Sequence, residues 1–189
     1  MATRATNRRD VRGSSERSTG RGSGLASDGS PLAASWARRA VLLLVLCAWA
    51  FVLLSLIGFS PSDPPSHAVW PHADPVHNWC GPFGAQVAYF LVKLLGAGVW
   101  VVVVASGLIL LNLATGSRVR HPGVRCIGLL MLAAAVAGAQ AFAFATSGPF
   151  PDLAGGILGR VGVSELSERF GPAGTTLTLA IMALIGLLV

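Results

Sequence analysis

Apolar residues gather in four runs along the chain, separated by polar or turn-forming stretches. Residues 40–59 hold no charge and make ~30 Å of helix at 1.5 Å per residue, the hydrocarbon thickness of a bilayer. That run exceeds a signal-peptide core, and Pro61, Asp63 and Pro64 follow where a small-residue cleavage site would stand, so it predicts an uncleaved membrane helix. Residues 85–114 predict a second helix, interrupted only by Lys93. At about 45 Å it is longer than a bilayer requires. The excess places residues 85–93 near the outer interface, with Tyr89 as an anchor and Lys93 snorkelling. Residues 126–145 predict a third span whose most polar member is Gln140. Residues 174–189 open a fourth of only ~24 Å, which points to the front part of a longer protein. The expected fold class is therefore all-α, an integral membrane bundle of four transmembrane helices.

The intervals carry turn chemistry. Asp63 followed by Pro64 suits a tight turn that stops the first helix at the membrane surface. Gly81, Pro82 and Gly84 suit the entry of the second. Asp152 is placed to cap a short interfacial helix in which Leu153, Ile157, Leu158 and Val161 share a face, weakened by Gly155 and Gly159. Its brevity and Arg160 exclude a fifth span. Inside lipid, where no hydrophobic drive exists between helices, small residues permit close packing. Gly96, Gly98 and Gly107, and the run 133–141 with Gly138, predict a tight bundle or an oligomer. Gln140 is expected to bond across to another helix rather than to a substrate.

Composition sharpens this picture. Of 189 residues, 53% are hydrophobic and 12% charged, about half the charge of a soluble domain. The basic residues are arginines except Lys93, which follows Val92, so no phosphate-cradling Gly-Lys-Ser/Thr loop exists in these residues and no catalytic residue is expected. Eight arginines against three acids crowd residues 1–39. Residues 1–35, rich in Arg, Gly and Ser, are too poor in apolar side chains to offset the entropy of ordering and are expected to be a disordered tail. The turn 115–125 carries Arg118, Arg120 and Arg125 without an acid, whereas the loop 60–84 carries Asp63 and Asp74 without a base. By the positive-inside rule the tail, that turn and the C-terminal end are cytoplasmic, and the loops 60–84 and 146–173 face outward. The tail's arginines offer a weak site for DNA or anionic lipid; a solvated, topology-setting tail is the favoured reading.

Candidate chemistry is sparse. His67, His72 and His77 stand near Asp63, Asp74 and Cys80, but a five-residue interval through a Pro-rich loop puts no donors on one face, and neither a metal nor a cofactor is expected. Cys47, Cys80 and Cys126 predict no disulfide within the chain. A small multi-span transporter is the competing reading, though ionisable residues or broken helices near the midplane, its usual marks, are not evident in the pattern.

Two short motifs add a family. Phe59, Ser60, Pro61, Ser62, Asp63 and Pro64 close the first span, and His77, Asn78, Cys80, Gly81, Pro82, Phe83, Gly84 and Ala85 open the second. With Arg38 and Arg39 before the first span, and Gly155, Gly156 and Gly159 leading to Gly171, Pro172, Ala173, Gly174 and Thr175, the chain from Trp36 to Val189 resembles the four-helix membrane domain of the FtsK/SpoIIIE family of DNA translocases. The resemblance implies an inner-membrane anchor and assembly module, a homo-oligomer in the lipid bilayer. It also implies contacts with cell-division proteins, and DNA handled through a downstream motor that these residues do not include. Asp63, Pro64, His77, Asn78, Gly81, Gly84, Gln140, Gly155 and Gly159 are the structural or assembly candidates.

Overall fold

The computed structural model describes residues 31–115 and 122–189, so residues 1–30 of the tail expected over 1–35 and the arginines at 118 and 120 lie outside the described residues, while residues 31–35 are helical. The regular elements described are all helical: α1 (Pro31–Ile57), α2 (Gly81–Leu95), α3 (Gly98–Ala114), α4 (Pro122–Ala143), a 3-10 turn at Pro151–Leu153 and α5 (Gly156–Leu188). Residues 36–57 of α1, residues 123–143 of α4 and α5 are each long and apolar enough to cross a membrane.

The expected second span over 85–114 is not one helix. It breaks at Gly96 and Ala97 into α2 and α3, and their axes differ by 112°. Gly96 adopts φ 53° and still donates its N–H to Val92 O at 2.7 Å, closing α2. The Ala97 N–H would then lack a partner, but Gln140 Oε1 of α4 accepts it at 2.7 Å. A helix start without its own cap is thereby satisfied from across the bundle. With 17 residues, α3 rises about 26 Å, close to a bilayer's hydrocarbon thickness.

The fourth segment also differs from expectation, because α5 starts at Gly156 rather than near 174 and contains a non-helical residue, Gly171 (φ 66°, ψ −179°). A side chain there would sit in a region only glycine occupies without strain, and Pro172 restarts the helix. The two arms of α5 run differently against α4. Cβ atoms built on Gly155 and Gly159 would both strike Ala137, and one on Gly138 would approach Val163 and Leu179 at 3.6 and 2.6 Å. The arm 156–170 thus crosses α4 at a single level. The arm 172–188 descends antiparallel to α4, with Leu179 beside Gly138 and Gly186 beside Gly128 and Leu132. The short helix expected near Asp152 is therefore longer than the sequence predicts and is continuous with the arm that follows Gly171.

α1 closes the bundle on the other side. Its Trp49 Nε1–H donates to Val103 O (3.0 Å) and lies within reach of Ser106 Oγ (3.1 Å), and a Cβ on Gly107 would meet the indole at 2.6 Å. Above it, Leu56, Ala88, Val99 and Val103 form a buried cluster that joins α1, α2 and α3. Large apolar side chains elsewhere on the spans, such as Leu43, Leu44 and Leu184, are exposed, as lipid-facing positions must be.

Candidate functional site

The first loop is held by a buried carboxylate. Asp63 is 3% exposed, and its two oxygens accept the backbone N–H groups of His77 and Asn78, each at 2.9 Å. The His77 ring approaches Oδ1 at 3.4 Å from an exposed position. Hydrogen bonds to an ionised acceptor are the stronger kind, so this carboxylate pins residues 77–78, fourteen to fifteen positions along, beside the turn it belongs to. Asp63 therefore does not stop α1, which ended at Ile57; it fastens the two ends of the loop between α1 and α2 together, with Pro64 continuing the turn.

Asn78 carries the fastening down to the helices. Its Nδ2 donates to Ser55 O (2.8 Å) on α1, and its Oδ1 accepts the Cys80 N–H (2.9 Å) at the start of α2. Gly81 turns the chain with φ 67° and donates to Asn78 O at 2.9 Å. A Cβ on Gly84 would stand 2.6 Å from Asn78 Oδ1 and 2.9 Å from Ser55 Oγ, so only glycine lets α2 come this close. Five of the candidates, Asp63, His77, Asn78, Gly81 and Gly84, thus meet in one polar knot around the fully buried Ser55. The two motifs that lie apart in the sequence are in contact in space.

Gln140, Gly155 and Gly159 meet at a second junction. Gly155 takes φ 78° and backs onto Ala137 O and Ala141, while Gly156 packs on Gly96 and Leu94 O, so the start of α5 nests against the α2–α3 break. Gly159 lies one turn on, against the same Ala137 carbonyl. Gln140 completes the junction: its Oε1 holds Ala97 N–H and its Nε2 donates to Ser147 O at 3.3 Å. The junction lines a cavity of about 210 Å³ with Phe59, Trp100 and Phe150.

A third cluster had no counterpart in the sequence reading. Lys93 Nζ donates to the Tyr89 hydroxyl (3.0 Å), which meets His67 Nδ1 (3.1 Å), and His67 Nε2 meets Asp152 Oδ2 (3.2 Å). The three contacts are mutually compatible when the phenol accepts from Lys93 and donates to Nδ1 and the imidazole donates from Nε2 to Asp152. Phe150, 2% exposed, stacks on His67 at 5.1 Å and meets Tyr89 edge-on. This chain of contacts ties the α1–α2 loop, α2 and the α4–α5 loop together. It corrects three expectations: Tyr89 is buried rather than an interface anchor, Lys93 bonds Tyr89 rather than only snorkelling, and Asp152 holds His67 instead of capping α5. Gly155 occupies the cap position of α5.

The three loop histidines diverge. His67 faces Tyr89 and Asp152, His72 Nε2 meets Ser66 O (2.7 Å), and His77 faces Asp63. Among the described residues no three His, Cys, Asp or Glu side chains converge to hold a metal. The arrangement is one of fastening and close packing. Its hydrogen bonds hold the loop between α1 and α2 and the loop between α4 and α5 against the helices.

Comparison with known proteins gives a consistent result. The family description "4TM region of DNA translocase FtsK/SpoIIIE" matches residues 35–189. The chain is similar to a DNA translocase FtsK of Azospirillum brasilense, 32% identical over 144 residues covering 71% of this chain and 22% of that protein. It is similar to a DNA translocase FtsK of Shewanella oneidensis, 31% identical over 145 residues covering 72% of this chain and 16% of that protein. The chain thus spans about a fifth of the length of these curated relatives. No solved structure gives a significant match.

Proposed function

The chain belongs to the family of the 4TM region of DNA translocase FtsK/SpoIIIE, a multi-pass inner-membrane anchor region, and from that premise we propose that it tethers and assembles an ATP-driven DNA pump for chromosome segregation at the division site. The observation that carries this reading is the match over residues 35–189, which takes in both knotted motifs and the glycine junction. The pump belongs to a region downstream of these residues. In the proposal both ends of the chain are cytoplasmic, so the motor side faces DNA, and the fastened loops face outward toward division proteins. The bundle assembles as a homo-oligomer in the bilayer. No catalytic role falls to the residues of this chain. A fluorescent fusion of residues 1–189, expressed in dividing bacteria of its own host, tests the reading. A band at the septum is expected; uniform membrane signal through division would overturn it.

A further inference from the structure

α2 carries an apolar stripe that the bundle leaves uncovered. Trp79, Phe83, Phe90 and Leu94 are 71%, 67%, 61% and 48% exposed. At 100° per residue Phe83, Phe90 and Leu94 fall within one narrow sector of α2, and Trp79 lies two residues before the start of the helix. The opposite face, with Gly84, Ala85 and Ala88, is buried against the bundle. One flank of the stripe is polar, with Gln86, Lys93 and Tyr89 in order around the helix, and on it Tyr89 and Lys93 join His67 and Asp152 of the outer loops. The other flank carries Val87 and Leu91. The helix has no Asp or Glu.

Its depth follows from α1. α2 crosses α1 where Gly84 meets Ser55 and Ala88 packs on Leu56, and the Phe83 ring lies 5.7 Å from that of Phe51. Ser55 is about 24 Å along α1 from Arg39, the last charge before the apolar run, against a hydrocarbon core of about 30 Å. The α2 axis therefore lies roughly 5 Å inside the outer boundary, the depth at which amphipathic interfacial helices rest. Leu54 and Ile57 on α1 and Trp100 and Val104 on α3 are exposed as well.

We propose that α2 is an interfacial helix whose Phe83–Phe90–Leu94 stripe, with Trp79 just before the helix, contacts the acyl chains and glycerol region of the outer leaflet, with the Gln86–Lys93 flank toward the headgroups. Aromatic residues are favoured at that level of the bilayer, and a stripe of this composition would be costly in water. The assignment rests on the membrane location of the chain. It makes α2 a float that fixes the height of the outer loops over the bilayer, with the break at Gly96 turning the chain down into the α3 span.

Spin labels test it. In a chain with Cys47→Ser, Cys80→Ser and Cys126→Ser, single labels are placed by Phe83→Cys, Phe90→Cys, Leu46→Cys and His72→Cys, and each variant is reconstituted into vesicles of phosphatidylethanolamine and phosphatidylglycerol. Collision rates with oxygen, which concentrates in lipid, are compared with those of a water-soluble nickel chelate. Labels at 83 and 90 are expected to favour oxygen, at a depth between that at 46 and that at 72. If 83 and 90 collide with nickel as 72 does while 46 favours oxygen, the stripe faces water and the proposal fails. Low collision with both reagents together with label–label broadening means a second copy covers the stripe and also overturns it. Nickel access at 46 overturns the membrane placement itself, and the proposal with it.

Discussion

Removing the Asp63 carboxylate is the sharpest way to open the outer knot. Asp63→Ala deletes the acceptor of two backbone N–H groups, one on the exposed His77 and one on the buried Asn78. Water can reach the first; the second is left unpaired in a buried place. A hydrogen bond to a charged group contributes about 1.5–3 kcal/mol, and an unsatisfied buried donor costs about 1–3 kcal/mol. The loss for the knot is therefore about 3 kcal/mol, roughly a hundredfold rise in its open population. Asp63→Asn keeps an acceptor oxygen and should lose about half of that. His77→Ala removes only a 3.4 Å contact from a side chain that is 67% exposed, worth about 0.5 kcal/mol or less. The assay is the rate at which Cys80, whose amide is held by Asn78, reacts with a membrane-impermeant maleimide in proteoliposomes. The expected order of rates is Asp63→Ala, then Asp63→Asn, then His77→Ala close to wild type. Equal rates for Asp63→Ala and His77→Ala would refute the claim that the buried carboxylate is the fastener.

Other expectations follow from the second junction. Gly155→Ala would drive a Cβ into Ala137 O at φ 78° and should destabilise the bundle by about 2–4 kcal/mol in urea or detergent unfolding, from overpacking and backbone strain together. Gly162→Ala, in open space on the same arm, should be neutral or stabilise by up to about 1 kcal/mol. Gln140→Leu leaves the Ala97 N–H without its acceptor, a cost of about 1–3 kcal/mol. Hydrogen exchange at Ala97 should accelerate about fivefold or more while exchange within the lower half of α4 stays unchanged.

The parts of this fold that depend on local pattern were legible in the sequence. Charge-free runs mark the end of α1 and both ends of α4 to within a few residues, because a helix in lipid must satisfy its own backbone and can hardly carry a charge; α1 starts nine residues before its run, at Pro31. The small residues singled out on α3 and α4 do sit at close approaches, Gly98 on Ala133 and Gly138 on Leu179. The break between α2 and α3 was not legible. Leu-Leu-Gly-Ala-Gly-Val reads as continuous helix, and what stabilises the break is a side chain 43 residues later in the sequence. The start of α5 was misread for a similar reason, since Asp152 looks like a cap by position and is instead engaged by His67 from the first loop. In the candidate site, Asp63 was singled out as a turn residue, but its bonds to residues 77–78 are nonlocal. Ser55 and Phe150, both buried, carry no sequence signal beyond their types.

The central claim is a four-span anchor with its fastened loops outside and both ends in the cytoplasm, and cysteine accessibility in intact cells tests it most directly. In the cysteine-free background, a membrane-impermeant maleimide should label a cysteine introduced by His72→Cys and spare one introduced by Arg118→Cys until the membrane is permeabilised. Labelling of position 118 with protection of position 72 would contradict the account.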